Sequence, residues 1–163
     1  DERELPFGIG LAIFSKTPLR DLIKHDLPSP LVEFDFYGET KTPTDRVLIS
    51  ARTENEGHAL TLLNTHLLAL FMLKSSSEIH GEQRRMVGEI LQASRDATLL
   101  AGDFNVSQPD SLIAEYRQFG FDSVQSTEIT WRRMPFVLDH IFHNEKLRCI
   151  GHQVLIGDFE FVD

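Results

Sequence analysis

The apolar pattern of this chain shifts from strand period to helix period after its first strands, and that change limits the folds open to it. Val47, Ile49 and Ala51 alternate with Leu48, Ser50 and Arg52, as on a half-buried strand. Leu60, Leu62 and Leu63 around Thr61 form the more continuous run of an interior strand, predicted over 58–66. Further on, Ile79, Met86, Val87, Ile90 and Leu91 share one helical face, with Glu82, Arg84, Arg85 and Glu89 mostly off it. Ser75 and Glu78 have the spacing of a capping box that would start this helix. A short buried strand is predicted over 97–103 and a second helix over 109–118, with Gly120 placed to end it in the left-handed conformation. Other strands are predicted over 8–15, 31–37, 136–143 and 147–156, and Pro28, Pro30 and Pro43 punctuate the connections. Strands outnumber helices without strict alternation. That order suits sheets packed face to face with helices outside, more than a doubly wound sheet.

Length fits one domain over 1–163, and 41% hydrophobic residues are enough for a sizeable core. Twelve phenylalanines against two tyrosines and one tryptophan point to buried aromatic packing. Sixteen Lys and Arg against 25 Asp and Glu leave a formal charge of −9. Such a surface argues against strong non-specific nucleic-acid affinity, which needs dense cationic contacts to phosphates. It leaves room for an enzyme that recruits a cation first and a phosphodiester second. Cys149 is the sole cysteine, so no disulfide can form within the chain. The longest apolar stretch, 59–73, is interrupted by Asn64, Thr65 and His66 and is too short to span a bilayer. The expectation is a soluble monomer, with the cytoplasm favoured and the compartment otherwise open.

Three blocks carry chemistry. In Leu99-Leu100-Ala101-Gly102-Asp103-Phe104-Asn105 an apolar strand ends in a carboxylate and a carboxamide, which strand periodicity would point to one side. Asp103 could deprotonate a water and Asn105 could hold a phosphate oxygen; an Asx turn that merely ends the strand explains the same residues. Asn64 and His66 alternate to one face at the end of the leucine strand, where the histidine could donate to a phosphate or be a satisfied core residue. Asp139, flanked by Leu138 and Ile141, is expected to be partly desolvated and to need a donor such as a histidine. Trp131, beside Arg132 and Arg133, could stack on a base or sugar or anchor a loop.

Taken in order, Gly8-Ile9-Gly10 through Ser15 with Pro18, Asn64-Thr65-His66-Leu67, Gly102-Asp103-Phe104-Asn105 and Leu138-Asp139-His140-Ile141-Phe142 resemble the motifs of the endonuclease/exonuclease/phosphatase family, the deoxyribonuclease I-like phosphoesterases. The resemblance implies an α/β fold, a four-layer sandwich of two mixed sheets flanked by helices, incomplete here at both termini. It implies hydrolysis of a phosphoester with Mg²⁺ or Mn²⁺, most simply of a phosphodiester in a nuclease-like reaction. Asp103 would then activate the water, Asn105 would position it or the phosphate, His66 would bind the scissile phosphate, and Asp139 would orient a second histidine. Asn64 and Trp131 are candidates for substrate contact, and Asp103 with Asn105 for a secondary metal site. The family's principal metal-binding Glu and its Ser-Asp-His motif fall outside this chain, so the 163 residues are expected to be inactive alone. Two other readings stand beside this one: a lipid phosphodiesterase or phosphoinositide phosphatase of the same family, and a non-catalytic module that kept the fold.

Overall fold

The computed structural model describes residues 10–36, 38–69, 77–125, 127–131 and 135–155. In chain order the elements are β1 (Arg20–Leu27), β2 (Phe34–Phe36), β3 (Glu39–Lys41), β4 (Arg46–Asn55), β5 (His58–His66), a 3-10 turn at Ser77–His80, α1 (Gly81–Ala93), β6 (Ala97–Asp103), α2 (Pro109–Arg117), β7 (Phe121–Ser123) and β8 (Asp139–Asn144). Six strands form one sheet in the order β1-β4-β5-β6-β8-β7, and β2 pairs with β3 in a separate hairpin. The central pair, β5 and β6, is parallel, which requires the crossover that α1 supplies. The remaining pairs are antiparallel. The chain therefore has a mixed α/β architecture.

One face of the six-stranded sheet is buried under the helices. Leu27, Leu48, Leu63, Leu100 and Phe142 from the strands meet Val87 and Leu91 of α1 and Leu112, Ile113 and Tyr116 of α2. Each fully buried side chain of this kind stabilises the fold by roughly 1.5–3 kcal/mol relative to exposure. Gln83, also buried, fastens α1 to two sheet margins. It accepts from the Leu68 amide at 3.2 Å and donates to the carbonyls of Leu27 and Pro28, each at 3.2 Å. Gly102 is required by close approach: a Cβ there would lie 2.1 Å from the Thr65 carbonyl oxygen, which belongs to backbone and cannot swing away.

β5 and β6 coincide with the predicted strands, and Gly120 has φ +84 as its C-terminal position demands. Elsewhere the structure departs from expectation. Residues 10–15 and 147–155 carry no strand, and the remainder of those two predicted segments lies outside the described residues. Three strands are unforeseen: the short β3 and β7, and the eight-residue β1, whose sequence Arg-Asp-Leu-Ile-Lys-His-Asp-Leu hides its nature because an edge strand keeps charged side chains in water. Ser75 lies outside the described residues; α1 starts at Gly81, and His80 in the N-cap position gives no side-chain cap. Arg84, placed off the apolar face by its charge, is only 7% exposed. Its guanidinium donates to Glu115 at 2.8 Å, which is how the charge survives burial.

Candidate active site

Strand pairing lines up the polar ends of three strands. Register places His66 of β5 opposite Asp103 of β6, and Asp103 opposite Asp139 of β8. Since paired residues share a face, the three side chains stand abreast on the face turned away from the helices. One pair back on that face come Asn64, Ala101 and Ile141. A cleft of about 460 Å³ opens above this row. It is walled by Leu11, Val124, Gln125 and residues 152–154. Asn64 donates to the Ala12 carbonyl at 3.0 Å, holding the Leu11 wall in place. Glu128 holds the opposite wall, bonding the His152 ring at 3.1 Å and accepting from the Val154 amide at 3.3 Å.

The backbone around Asp103 is tied on both sides. Its carbonyl accepts from the Leu67 amide at 2.9 Å, and the next amide, of Phe104, donates to the Leu138 carbonyl at 2.8 Å. The strand then stops. Asn105 takes φ +51, and its amide donates to Asp103 Oδ1 at 2.9 Å in a local turn. This overturns the expectation that Asp103 and Asn105 point to one side, because period-two geometry ends with the strand. Asn105 is 1% exposed, and its Nδ2 donates to the Leu67 carbonyl at 2.9 Å. Its Oδ1 is buried with no hydrogen-bond partner.

The electrostatics separate the three abreast residues. Burial, followed by the negative charge of Asp139, raises the Asp103 carboxyl from 3.8 to about 6. Burial also lowers His66, helped by the positive charge of Arg46 and opposed by Asp139. His66 Nε2 and Asp103 Oδ2 are 3.6 Å apart. That is beyond hydrogen-bond length, and both shifts oppose a formal ion pair. The row presents a neutral imidazole beside a carboxyl that ionises near pH 6. Asp139, expected to be partly desolvated, is exposed, and Ile141, its neighbour on the same face, is itself 42% exposed.

Trp131 does not line the cleft. It stacks on Phe136 at 6.5 Å between ring centroids, and the adjoining Thr130 hydroxyl accepts from the amides of Leu138 and Asp139, each at 3.0 Å. The tryptophan therefore belongs to a clamp that sets the start of β8. His140 points to the buried face, stacked on Phe142 and edge-on to Phe104. Sequence reading missed Arg46, whose charge acts on both Asp103 and His66 and whose Nε is buried with no hydrogen-bond partner. It also missed Glu128 and His152 as wall-builders. None carries a motif; only the register of β4 on β5 and the return of the chain after β8 bring them near.

A mixed sheet with helices on one face and a cleft above the polar ends of three of its strands defines an α/β chain. The sequence pattern of the Endonuclease/Exonuclease/phosphatase family matches residues 6–158, and the chain belongs to that family. No curated protein matches it. Among solved structures it is similar to an endonuclease/exonuclease/phosphatase from Bacteroides vulgatus, with TM-score 0.55 and 15% identity over 80% of this chain and 55% of that one. It is also similar to a mannosyl-6-phosphatase of Bacteroides thetaiotaomicron, with TM-score 0.53 and 16% identity over 80% and 54%. The human Nocturnin catalytic domain, with bound sulfate, gives TM-score 0.52 and 16% identity over 78% and 48%. The shared property is the fold. The chain spans about half the length of these structures.

Proposed function

We propose that this chain forms part of a metal-dependent phosphoesterase that hydrolyses a phosphodiester, with Asp103 as the group that takes the proton from water. The observation that carries the reading is the row of His66, Asp103 and Asp139 across three paired strands under one cleft. A general base works best when its pKa lies near the working pH, and about 6 is closer to that than an ordinary carboxyl. In this reading neutral His66 donates a hydrogen bond to a phosphoryl oxygen, and the nearby charge of Arg46 offsets the charge gained there. Asp139, which accepts no hydrogen bond from described side chains, is left to orient a histidine supplied from outside the described residues. Nucleic acid and lipid head groups both offer the phosphodiester. The net charge of −9 speaks against non-specific affinity for the former, and apolar Leu11, Val124 and Ile141 in the cleft wall suit the latter.

A hard divalent cation, Mg²⁺ or Mn²⁺, belongs to this proposal, but the described residues do not assemble its site. Among them no group of three or more His, Cys, Asp or Glu side chains converges. Mg²⁺ takes about six oxygen ligands, and here only the carboxylates of Asp103 and Asp139 stand together, with the Asn105 carboxamide oxygen buried nearby. The expected result is that EDTA stops turnover on DNA, RNA, lipid and small phosphodiester substrates and that Mg²⁺ or Mn²⁺ restores it. The assay compares the 163 residues with a version extended at both ends, and full turnover without metal would remove the cation from the proposal.

The Asp103 carboxyl is expected to titrate near pH 6 in the metal-free chain, read by carbon NMR with EDTA present. EDTA matters because a bound cation would pull the value down. Activity that needs the carboxylate falls as pH drops through this value. Stability runs the other way. The folded value lies above the unfolded one, so the native state holds this proton more tightly, and stability falls as pH rises from 3.8 to about 6. Titration at the ordinary value would mean that Asp103 is solvated and poorly matched to its role.

A further inference from the structure

Beneath the Asp103 turn lies a buried polar chain that the proposed chemistry does not use. Glu115 of α2 accepts from Arg84 Nε of α1 at 2.8 Å. Arg84 Nη1 lies 3.4 Å from His80 Nδ1, and His80 Nε2 lies 3.3 Å from the Asn105 carbonyl. The Asn105 amide then donates to Asp103 Oδ1 at 2.9 Å. His80 is 0% exposed, Arg84 7% and Asn105 1%. Placing a histidine against an arginine in the interior is costly unless each polar atom is used. Here the partners dictate the ring's state. A carbonyl can only accept, so Nε2 must carry a hydrogen; a guanidinium can only donate, so Nδ1 must be bare. His80 is thereby a neutral Nε2–H tautomer, turned by Arg84 and aimed at the Asn105 peptide.

We propose that His80 is a positioning residue for the site: with its ring fixed by Arg84, which Glu115 holds in turn, it pins the Asn105 carbonyl and so steadies the left-handed residue whose amide holds Asp103 Oδ1 in one orientation. The consequence for turnover rests on the reading of Asp103 as the proton acceptor; the structural claim does not. Asn105 needs the pin because φ +51 is an uncommon conformation, tolerated by asparagine better than by most residues but still in need of support. With Oδ1 occupied by that amide, Oδ2 is the carboxylate oxygen left to face the cleft.

Two substitutions separate the links. Glutamine places its Nε2 where His80 has Nε2 and can still donate to the Asn105 carbonyl; asparagine reaches only as far as Nδ1 and cannot. His80→Asn is expected to speed hydrogen exchange of the Asn105 amide about tenfold, in line with losing one net hydrogen bond, while the Val87 and Leu91 amides of α1 keep their protection. In a form of the protein that turns over, kcat should fall about tenfold or more with KM within about twofold, since misplacing a reacting group acts on the chemical step. His80→Gln should restore most of both. An unchanged Asn105 amide in His80→Asn, or exchange raised equally through α1 and β6, would overturn the proposal. Should His80→Asn not fold, the wild-type imidazole nitrogen shifts decide the matter: Nε2 protonated and Nδ1 bare is required, and the other tautomer is fatal to it. If Asp103→Asn retains turnover, the catalytic reading fails while the tautomer and exchange results still judge the pin.

Discussion

Asp103→Asn should lower turnover by about 10²–10⁴-fold while leaving the fold intact, the range expected when a general base is removed. The substitution is nearly isosteric. Its carboxamide oxygen can still accept from the Asn105 amide, as Oδ1 does at 2.9 Å, so the turn survives. What disappears is the capacity to take a proton. Stability should hold or rise slightly above pH 6. The wild-type carboxyl is raised to about 6 by burial and by Asp139, so ionising it works against the fold at neutral pH, and a neutral amide escapes that cost. Steady-state kinetics in an active form of the protein, with thermal melts at pH 8, check both halves. Turnover within about tenfold of wild type would defeat the proposed mechanism; lost turnover with a collapsed melting transition would return Asp103 to a purely structural role.

Phe104→Ala should produce the largest stability loss of any single change around the site, about 3–5 kcal/mol. Phe104 is 0% exposed and sits between the two polar residues of its motif. Its ring meets Phe142 at 5.2 Å, Tyr116 at 5.8 Å and His140 at 5.9 Å, each edge-on. Truncation removes the transfer free energy of the ring and leaves a cavity among partners from β8 and α2 that cannot all close in. Against the 5–15 kcal/mol typical of a folded domain, this is a large share. Urea unfolding should show a lower midpoint at unchanged slope, with Phe104→Leu between the two. A loss under about 1 kcal/mol would mean that the turn region repacks freely, and that the aromatic cluster does not brace the strand end.

Much of the frame was legible in residues alone. β5 and β6 were readable because leucine-rich runs break off at polar residues, and α1 because its apolar positions keep a helical period. The motifs around His66, Asp103 and Asp139 contain the three side chains that register sets abreast. Charge misled in two places. An edge strand that solvates Arg20, Asp21, Lys24 and Asp26 does not look like a strand, and Arg84 looks exposed until Glu115, far along the chain, is seen to pair with it. Asn105 misled through periodicity, which has no force once the chain turns left-handed.

What the sequence determined by itself is which residues end strands in polar groups, for that depends on local alternation and propensity. What only the tertiary structure decided is that three of those ends stand abreast. Backbone hydrogen bonds between β5, β6 and β8 set that register, and a slip of one residue on any strand would turn its polar side chain to the opposite face. The same pairing carries Arg46 toward the site and lets α1 and α2 reach Asp103 from below through His80 and Arg84. No short-range pattern encodes these approaches, because they depend on distances closed by the whole sheet.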